Sequence, residues 1–285
     1  MKESARHTFL LPRADCYGYD DFTDDELRAL SWELTDKEKA DPDSAYYGMV
    51  PAPLLPEHQR ALDGPPMDLS AAFEFHDYGK AMNNTGHCRE ENGYCVLPSG
   101  VTYAAALMRQ EGRNDEMTAY YNGHFCLTDS LFYKTWFPKA HYLHFNDGGA
   151  FEDFGFGRIK MRFTAMMDEK ALGLDPGEVR KNDPACIYIG GTAAVGRNLD
   201  SDDPMKEERN IIMFYHRETS YGREMRIRLF YGIGYEKGEF IYTIPEKDRA
   251  LDIARHTLYH IVHEYTNDMA LQDAVYRDYK EGKRT

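Results

Sequence analysis

The closing stretch of the chain, from about Glu246 to Tyr279, constrains the fold most. Leu251, Ala254, Leu258, Ile261, Val262 and Tyr265 recur there at helical spacing and form one apolar stripe. A helix with such a stripe must bury it against another element. Thr243-Ile-Pro-Glu246 just ahead has capping-box spacing, with the proline placed for a first turn. The partner lies upstream, where strand-like segments follow one another: NGYCVL, a turn at Pro98-Ser99-Gly100, then VTYAAALMR with Val101, Tyr103, Ala105 and Leu107 on one face. Further strand candidates are Arg158 to Phe163, Ala185 to Ile189, Asn210 to Arg217, Arg223 to Tyr231 and Glu239 to Ile244. Antiparallel strands ending in one long helix predict an α+β fold whose sheet curls around that helix.

Residues 1–85 are rich in Asp, Pro and Tyr and are expected to form an N-terminal extension wrapping a main domain at residues 86–285. A short amphipathic helix is predicted at Thr23 to Leu34, and PAPLLPEHQRALDGPPM holds too many prolines for regular structure at its ends. A helical stretch carrying Met117, Tyr120, Tyr121 and His124 is followed by FYKTWFPKAHYLHF, which leads into a loop with Gly and Asp.

The formal net charge of -14 disfavours nucleic acid and anionic lipid as partners. No signal peptide or transmembrane run is evident, so a cytoplasmic location is expected. Cys16, Cys88, Cys95, Cys126 and Cys186 show no CxxC pairing and are expected to be reduced structural thiols. The 21 tyrosines suit a phenolic ligand, since each joins an aromatic face to a hydroxyl, although many will simply pack in the core or lie on the surface.

Two constellations carry chemistry. In ARHTLYHIVHEY, His256, His260 and Glu264 stand at i, i+4 and i+8 along one helix face. A His/Glu pair one turn apart supplies a neutral nitrogen and an anionic oxygen to one divalent metal, though such pairs are also common on solvated helices. The remaining ligands would come from His124, His141 or His144, with Glu152 or Asp153 of FEDFGFG. The second constellation is the hairpin IIMFYHRETSYGREMRIRLFY, turning at Ser220-Tyr221. A symmetric register sets His216 opposite Met225 and points Ile212, Phe214, His216, Met225, Ile227, Leu229 and Tyr231 to the apolar side. Arg217, Arg226 and Arg228 then face solvent or another molecule. His216 is either a satisfied core residue or a proton-transfer group in a pocket.

Taken together, ENGYCVLPSGVTY, GRNDEM, YKTWFPKAHY, FEDFG, HRETSYGREMRIRLFYG and HIVHE resemble the diacetylphloroglucinol hydrolase family, which includes phloretin hydrolases. The resemblance runs from about Glu91 to Glu264 and is loose in the N-terminal third. It implies a helix-grip fold like that of plant pollen allergens and START domains. It also implies one zinc-type ion held by two His and two Glu, which carry over to His124, Glu152, His260 and Glu264. The family's hairpin histidine falls on His216 and a substrate-contacting tyrosine on Tyr231, while a second phenol-binding tyrosine falls on Tyr120 or Tyr121, with Tyr121 the candidate carried forward.

The activity so implied is metal-dependent hydrolysis of the bond between an aryl ring and a ketone carbonyl in an acylated phloroglucinol. His216 would transfer the proton, Tyr121 and Tyr231 would hold the ring hydroxyls, and Zn2+ would serve the carbonyl and water. YYNGHF, with small residues where the family has tryptophans, favours phloretin, split to phloroglucinol and phloretic acid, over diacetylphloroglucinol. A homo-oligomer, a dimer, is expected. The rivals are a non-catalytic helix-grip carrier of aromatic or polyketide ligands and a polyketide cyclase, neither of which needs the metal.

Overall fold

A computed structural model describes residues 17–47, 49, 53–124 and 129–284. One sheet is built from β1 (Gly93–Val96), β2 (Thr102–Glu111), β3 (His141–Phe145), β4 (Gly149–Asp153), β5 (Arg158–Met167), β6 (Cys186–Asn198), β7 (Glu207–Thr219) and β8 (Gly222–Tyr231). These eight strands run antiparallel in the order β1-β2-β8-β7-β6-β5-β4-β3. A separate hairpin pairs β9 (Ile233–Glu236) with β10 (Glu239–Tyr242). The helices are α1 (Asp24–Ala29), α2 (Asp36–Ala40), α3 (Pro56–Asp63), α4 (Tyr78–Met82), α5 (Asp115–His124), α6 (Ser130–Trp136), α7 (Pro176–Asn182) and α8 (Lys247–Lys280). Cys88, Cys95 and Cys186 are free thiols, whereas Cys16 and Cys126 lie outside the described residues. No helix among the described residues is long and apolar enough to cross a membrane.

The expected C-terminal helix forms as α8 and buries Ala254, Leu258, Ile261, Val262 and Tyr265 on the sheet, while Leu251 stays exposed. Leu258, Ile261 and Val262, each fully buried, contribute about 1.5–3 kcal/mol apiece. The capping box does not form, because Glu246 is the N-cap and makes no side-chain cap bond. Thr23 does cap α1 with Glu26, but that helix stops at Ala29, short of Leu34.

The α+β class holds, but the helix-grip architecture does not. That architecture needs a sheet that offers one apolar face to its helix, whereas here both faces carry a core. On the inner face Ala104, Ala106, Met225, Ile227, Leu229 and Tyr231 meet α8. On the outer face Tyr103, Ala105, Ile211, Met213, Tyr215 and Phe230 are sealed by Met67, Phe75, Tyr78 and Met82 of the N-terminal third.

That cover also overturns the exposed arginine face. Arg217, Arg226 and Arg228 are 5%, 0% and 0% exposed. Arg226 and Arg228 both pair with Glu91, and Arg217 pairs with Glu224 and Asp183. Buried charge is tolerated here because each guanidinium meets a carboxylate.

The β7–β8 hairpin keeps the symmetric register, with His216 opposite Met225 across a turn at Ser220-Tyr221. FYKTWFPKAHYLHF runs into the expected turn with Gly and Asp, Asn146-Asp147-Gly148, which joins β3 to β4, and this hairpin builds the site.

Candidate metal centre

β3 and β4 pair as Phe145 with Gly149, His144 with Ala150 and Leu143 with Phe151, and the register then shifts so that His141 meets Glu152. Tyr142 is the extra residue of this bulge. Strand parity alone would send Tyr142 inward and His141 outward. With the bulge, Tyr142 and Leu143 both pack outward beside Leu27 and Phe151, and His141 turns inward next to Glu152. α8 brings His260 and Glu264 to the same place from above. Gly155 permits the close approach of the following loop: its φ is +85, and a Cβ would stand 2.7 Å from the His256 ring.

Four side chains converge. His141 Nε2 lies 3.2 Å from a Glu152 oxygen and 3.9 Å from a Glu264 oxygen, and His260 Nε2 lies 3.5 Å and 3.8 Å from the same two carboxylates. His141, Glu152 and His260 offer donor atoms all within 4.8 Å of one another. His141 Nδ1 lies 3.0 Å from the Tyr133 carbonyl, and His260 Nδ1 lies 3.1 Å from the Asp153 carbonyl. A carbonyl only accepts, so each ring carries its hydrogen on Nδ1 and directs an Nε2 lone pair at the carboxylates. His141 Nε2 is buried with no hydrogen-bond partner. Tyr133 donates to Glu152 at 2.6 Å and stacks on His141 at 4.0 Å, while Phe154 stacks on His260 at 4.4 Å.

Burial pushes the Glu152 carboxyl up, but its contacts with His141 and His260 outweigh this and hold it well below the usual range. Burial, with Glu152 and Asp268 adding to it, raises Glu264 well above that range. Burial also lowers His141, which Glu152 opposes.

Two imidazole nitrogens and two carboxyl groups turned to one point are the donor types that a divalent cation gathers. Ligands at about 2.0–2.1 Å around a tetrahedral zinc-type ion stand about 3.3 Å apart. The observed separations of 3.2, 3.5, 3.8 and 3.9 Å are close to that edge. Carbonyls holding both Nδ1 atoms are also the usual support of metal-bound histidine. The donor set fits one divalent ion.

Of the ligand candidates from the sequence, Glu152, His260 and Glu264 come together and His124 does not. His124 ends α5, bonds the Tyr120 carbonyl at 2.7 Å and stacks on Tyr120, whose ring stacks on Tyr279. Tyr279 lies 15 residues beyond Glu264 on α8, about 22 Å along the axis. His141 takes the place expected for His124. His256 turns to Asp252, outside the cluster. His144 faces the inner side, 5.4 Å from Tyr133 and 5.6 Å from Phe163. Tyr133 was not singled out in the sequence; a hairpin reading of KAHYLHFNDGGAFED would have drawn attention to this region.

Beside the cluster on the inner face, Ile212, Phe214 and His216 of β7 are partly accessible, while Ile211, Met213 and Tyr215 on the outer face are fully buried. Burial pushes the His216 imidazole down to about 4, and Arg113 and Arg223 act in the same direction. His216 is linked to Glu264 through Phe214 and Tyr265, whose rings are 5.6 Å apart.

Tyr231 lies on the other side of the cluster, joined to it through Phe156 and Phe154. It stands six residues along β8 from Met225, about 20 Å of strand from the His216 row. One phloroglucinol ring therefore does not bridge the two. The Tyr231 hydroxyl donates to Glu208, and the Tyr121 hydroxyl donates to Asp268 at 3.0 Å.

Residues 73–151 match the family model of the DAPG hydrolase PhiG domain. No curated protein matches the chain. The matched stretch includes Tyr133 and His141 and ends one residue before Glu152, so α8 enters the site from outside it. The match bears out the resemblance drawn from the sequence and points to a hydrolase of acylphloroglucinol-type compounds.

Proposed function

We propose, taking the chain as a member of the DAPG hydrolase and phloretin hydrolase family, that it hydrolyses the ring–acyl bond of an acylated phloroglucinol with one divalent metal, zinc, and that phloretin is its substrate. The convergence of His141, Glu152, His260 and Glu264, with both Nε2 lone pairs turned to one point, carries this reading.

These four residues would hold the metal. Bound there, it supplies Lewis-acid polarisation of the acyl carbonyl and activation of water. Tyr133 keeps Glu152 oriented, and the two carbonyl acceptors keep the imidazoles from rotating. His216 is neutral near pH 7, so it accepts a phenol proton; once charged it is a strong acid, suited to protonating the acyl-bearing ring carbon. The hydroxyl hydrogens of Tyr121 and Tyr231 are committed to Asp268 and Glu208, which leaves their oxygens as acceptors for substrate hydroxyls.

Tyr120 and His124 lie against the end of α8, away from the cluster, and cannot make room for a longer acyl arm. Support for phloretin comes instead from aromatic walls on both sides of the cluster. A carbonyl at the centre would place the phloroglucinol ring toward Phe214 and His216 and the hydroxyphenyl arm toward Phe156 and Tyr231.

The test is elemental analysis of the purified protein, followed by assay of the zinc-loaded and chelator-treated forms with phloretin and diacetylphloroglucinol. Stoichiometric metal and chelator-sensitive release of phloroglucinol and phloretic acid are expected. Turnover unaffected by chelation, or a protein that takes up no metal, would refute the proposal; cleavage of diacetylphloroglucinol alone would correct the substrate.

A further inference from the structure

The inner-face row Met108, Met225 and His216 crosses β2, β8 and β7. Beyond it, the turn leaving β2 carries Arg113, whose charge acts on His216. The Arg113 backbone N–H donates to the Gln110 carbonyl at 3.3 Å, and its Nε donates to Thr118 Oγ1 at 3.2 Å. The same hydroxyl accepts from Arg223 at 2.7 Å, so one threonine anchors both guanidiniums.

The two arginines differ in their charge partners. Arg223 pairs with Asp115. Arg113 makes no ion pair among the described residues; Asp268 and Asp273 of α8 and Tyr121 of α5 act on it only through space. Asp268 already receives Tyr121 and Gln272. Burial and Arg223 both work against the Arg113 charge, and burial together with the two arginines keeps His216 neutral. A guanidinium partly withdrawn from water without an ion pair is costly, and its fork of donors matches an anionic oxygen.

We propose that Arg113 binds the ionised phloroglucinol ring of the substrate, its guanidinium paired with a ring phenolate oxygen, so that acylphloroglucinols are taken as phenolates. This rests on the acylphloroglucinol reading of the site. The acyl group withdraws electron density and acidifies a neighbouring ring hydroxyl, whose proton passes to His216. His216 then gives that proton to the acyl-bearing ring carbon. Water adds its oxygen to the acyl carbon, and the ring–acyl bond breaks with its electron pair returning to the ring. The proton left from water restores the phenol. The sum is acyl ring plus water giving ring–H plus carboxylic acid, with no oxidant or reductant. Arg113 faces a phenolate on binding and again once the bond has broken; between the two, with the proton on the ring carbon, that oxygen is a neutral carbonyl that still accepts from the guanidinium.

Stopped-flow spectra of phloretin mixed with the zinc-loaded protein, at a pH below the ligand's first phenol ionisation, test this. An acylphloroglucinol absorbs at longer wavelength once ionised. The wild type is expected to show the phenolate band. Arg113→Met, with unchanged circular dichroism and metal content, should show the neutral band and lose about 10–100-fold in kcat/KM. Arg113→Lys, which keeps the charge, should recover the band and part of the activity. If Arg113→Met does not fold, Arg113→Gln removes the charge while retaining a donor for Thr118. A wild-type protein that binds phloretin only as the neutral phenol overturns the inference, as does a folded Met or Gln variant with wild-type band and kcat/KM. If neither phloretin nor diacetylphloroglucinol gives a difference spectrum with the wild type, the substrate reading fails and the inference fails with it.

Discussion

Tyr133→Phe isolates a single hydrogen bond on the candidate metal centre. The hydroxyl donates to Glu152 at 2.6 Å inside the protein, a short bond to a carboxylate. The ring stacks on His141 at 4.0 Å with 9° between planes, and phenylalanine keeps that contact. A hydrogen bond to a charged group is worth about 1.5–3 kcal/mol. At about 1.4 kcal/mol per tenfold, zinc affinity should fall about 10–100-fold. Loss of groups that orient metal ligands falls in the same range. Competition with a chromophoric chelator at fixed pH measures this, with circular dichroism confirming the fold. Unchanged zinc affinity in a folded Tyr133→Phe protein would refute the view that Glu152 is a ligand held by Tyr133.

His141→Ala should abolish stoichiometric zinc, while His124→Ala should retain it because His124 sits on Tyr120 near the end of α8; elemental analysis of both variants decides between them. His216→Ala should keep its fold and its zinc but lose about 10²–10⁴-fold in kcat, measured beside metal content on one preparation; loss of zinc would make His216 a ligand, and unfolding would make it a core residue. On the outer face, Glu91→Gln leaves Arg226 and Arg228 without their shared carboxylate and should cost about 3–5 kcal/mol in denaturant unfolding. Burial raises the Glu91 carboxyl, but Arg228 and Arg226 overcome this and hold it at about 2, against an ordinary 4.5. Because the folded pKa is depressed, its contribution is fully present above pH 4.5 and fades as pH falls toward 2, and this acid-side loss should be absent in Glu91→Gln.

The α8 stripe, the β7–β8 register and the His260/Glu264 pair are all legible in the sequence because each depends on local periodicity. A residue in a regular helix or strand has its face set by its spacing from its neighbours, and those neighbours are adjacent in the chain. Glu152 was legible only through the resemblance carried by FEDFG. Nothing in its spacing separates it from Asp153, which contributes its carbonyl and not its carboxylate.

His141 stood beside His124 and His144 among the candidates, but periodicity could not select it for the cluster, and the reason is the bulge at Tyr142. One unpaired residue reverses the parity of everything before it in β3, so simple alternation places His141 on the wrong side of the sheet. Tyr142 and Leu143 can share the outer side because Leu27 and Phe151 receive them there, and Leu27 comes from a distant part of the chain. The buried arginines follow the same logic. Alternation correctly puts Arg226 and Arg228 on the face away from α8, but whether that face meets water depends on Tyr78, Met82 and Glu91, more than a hundred residues upstream. Periodicity determines which way a side chain points; only contacts between distant segments decide what it meets there.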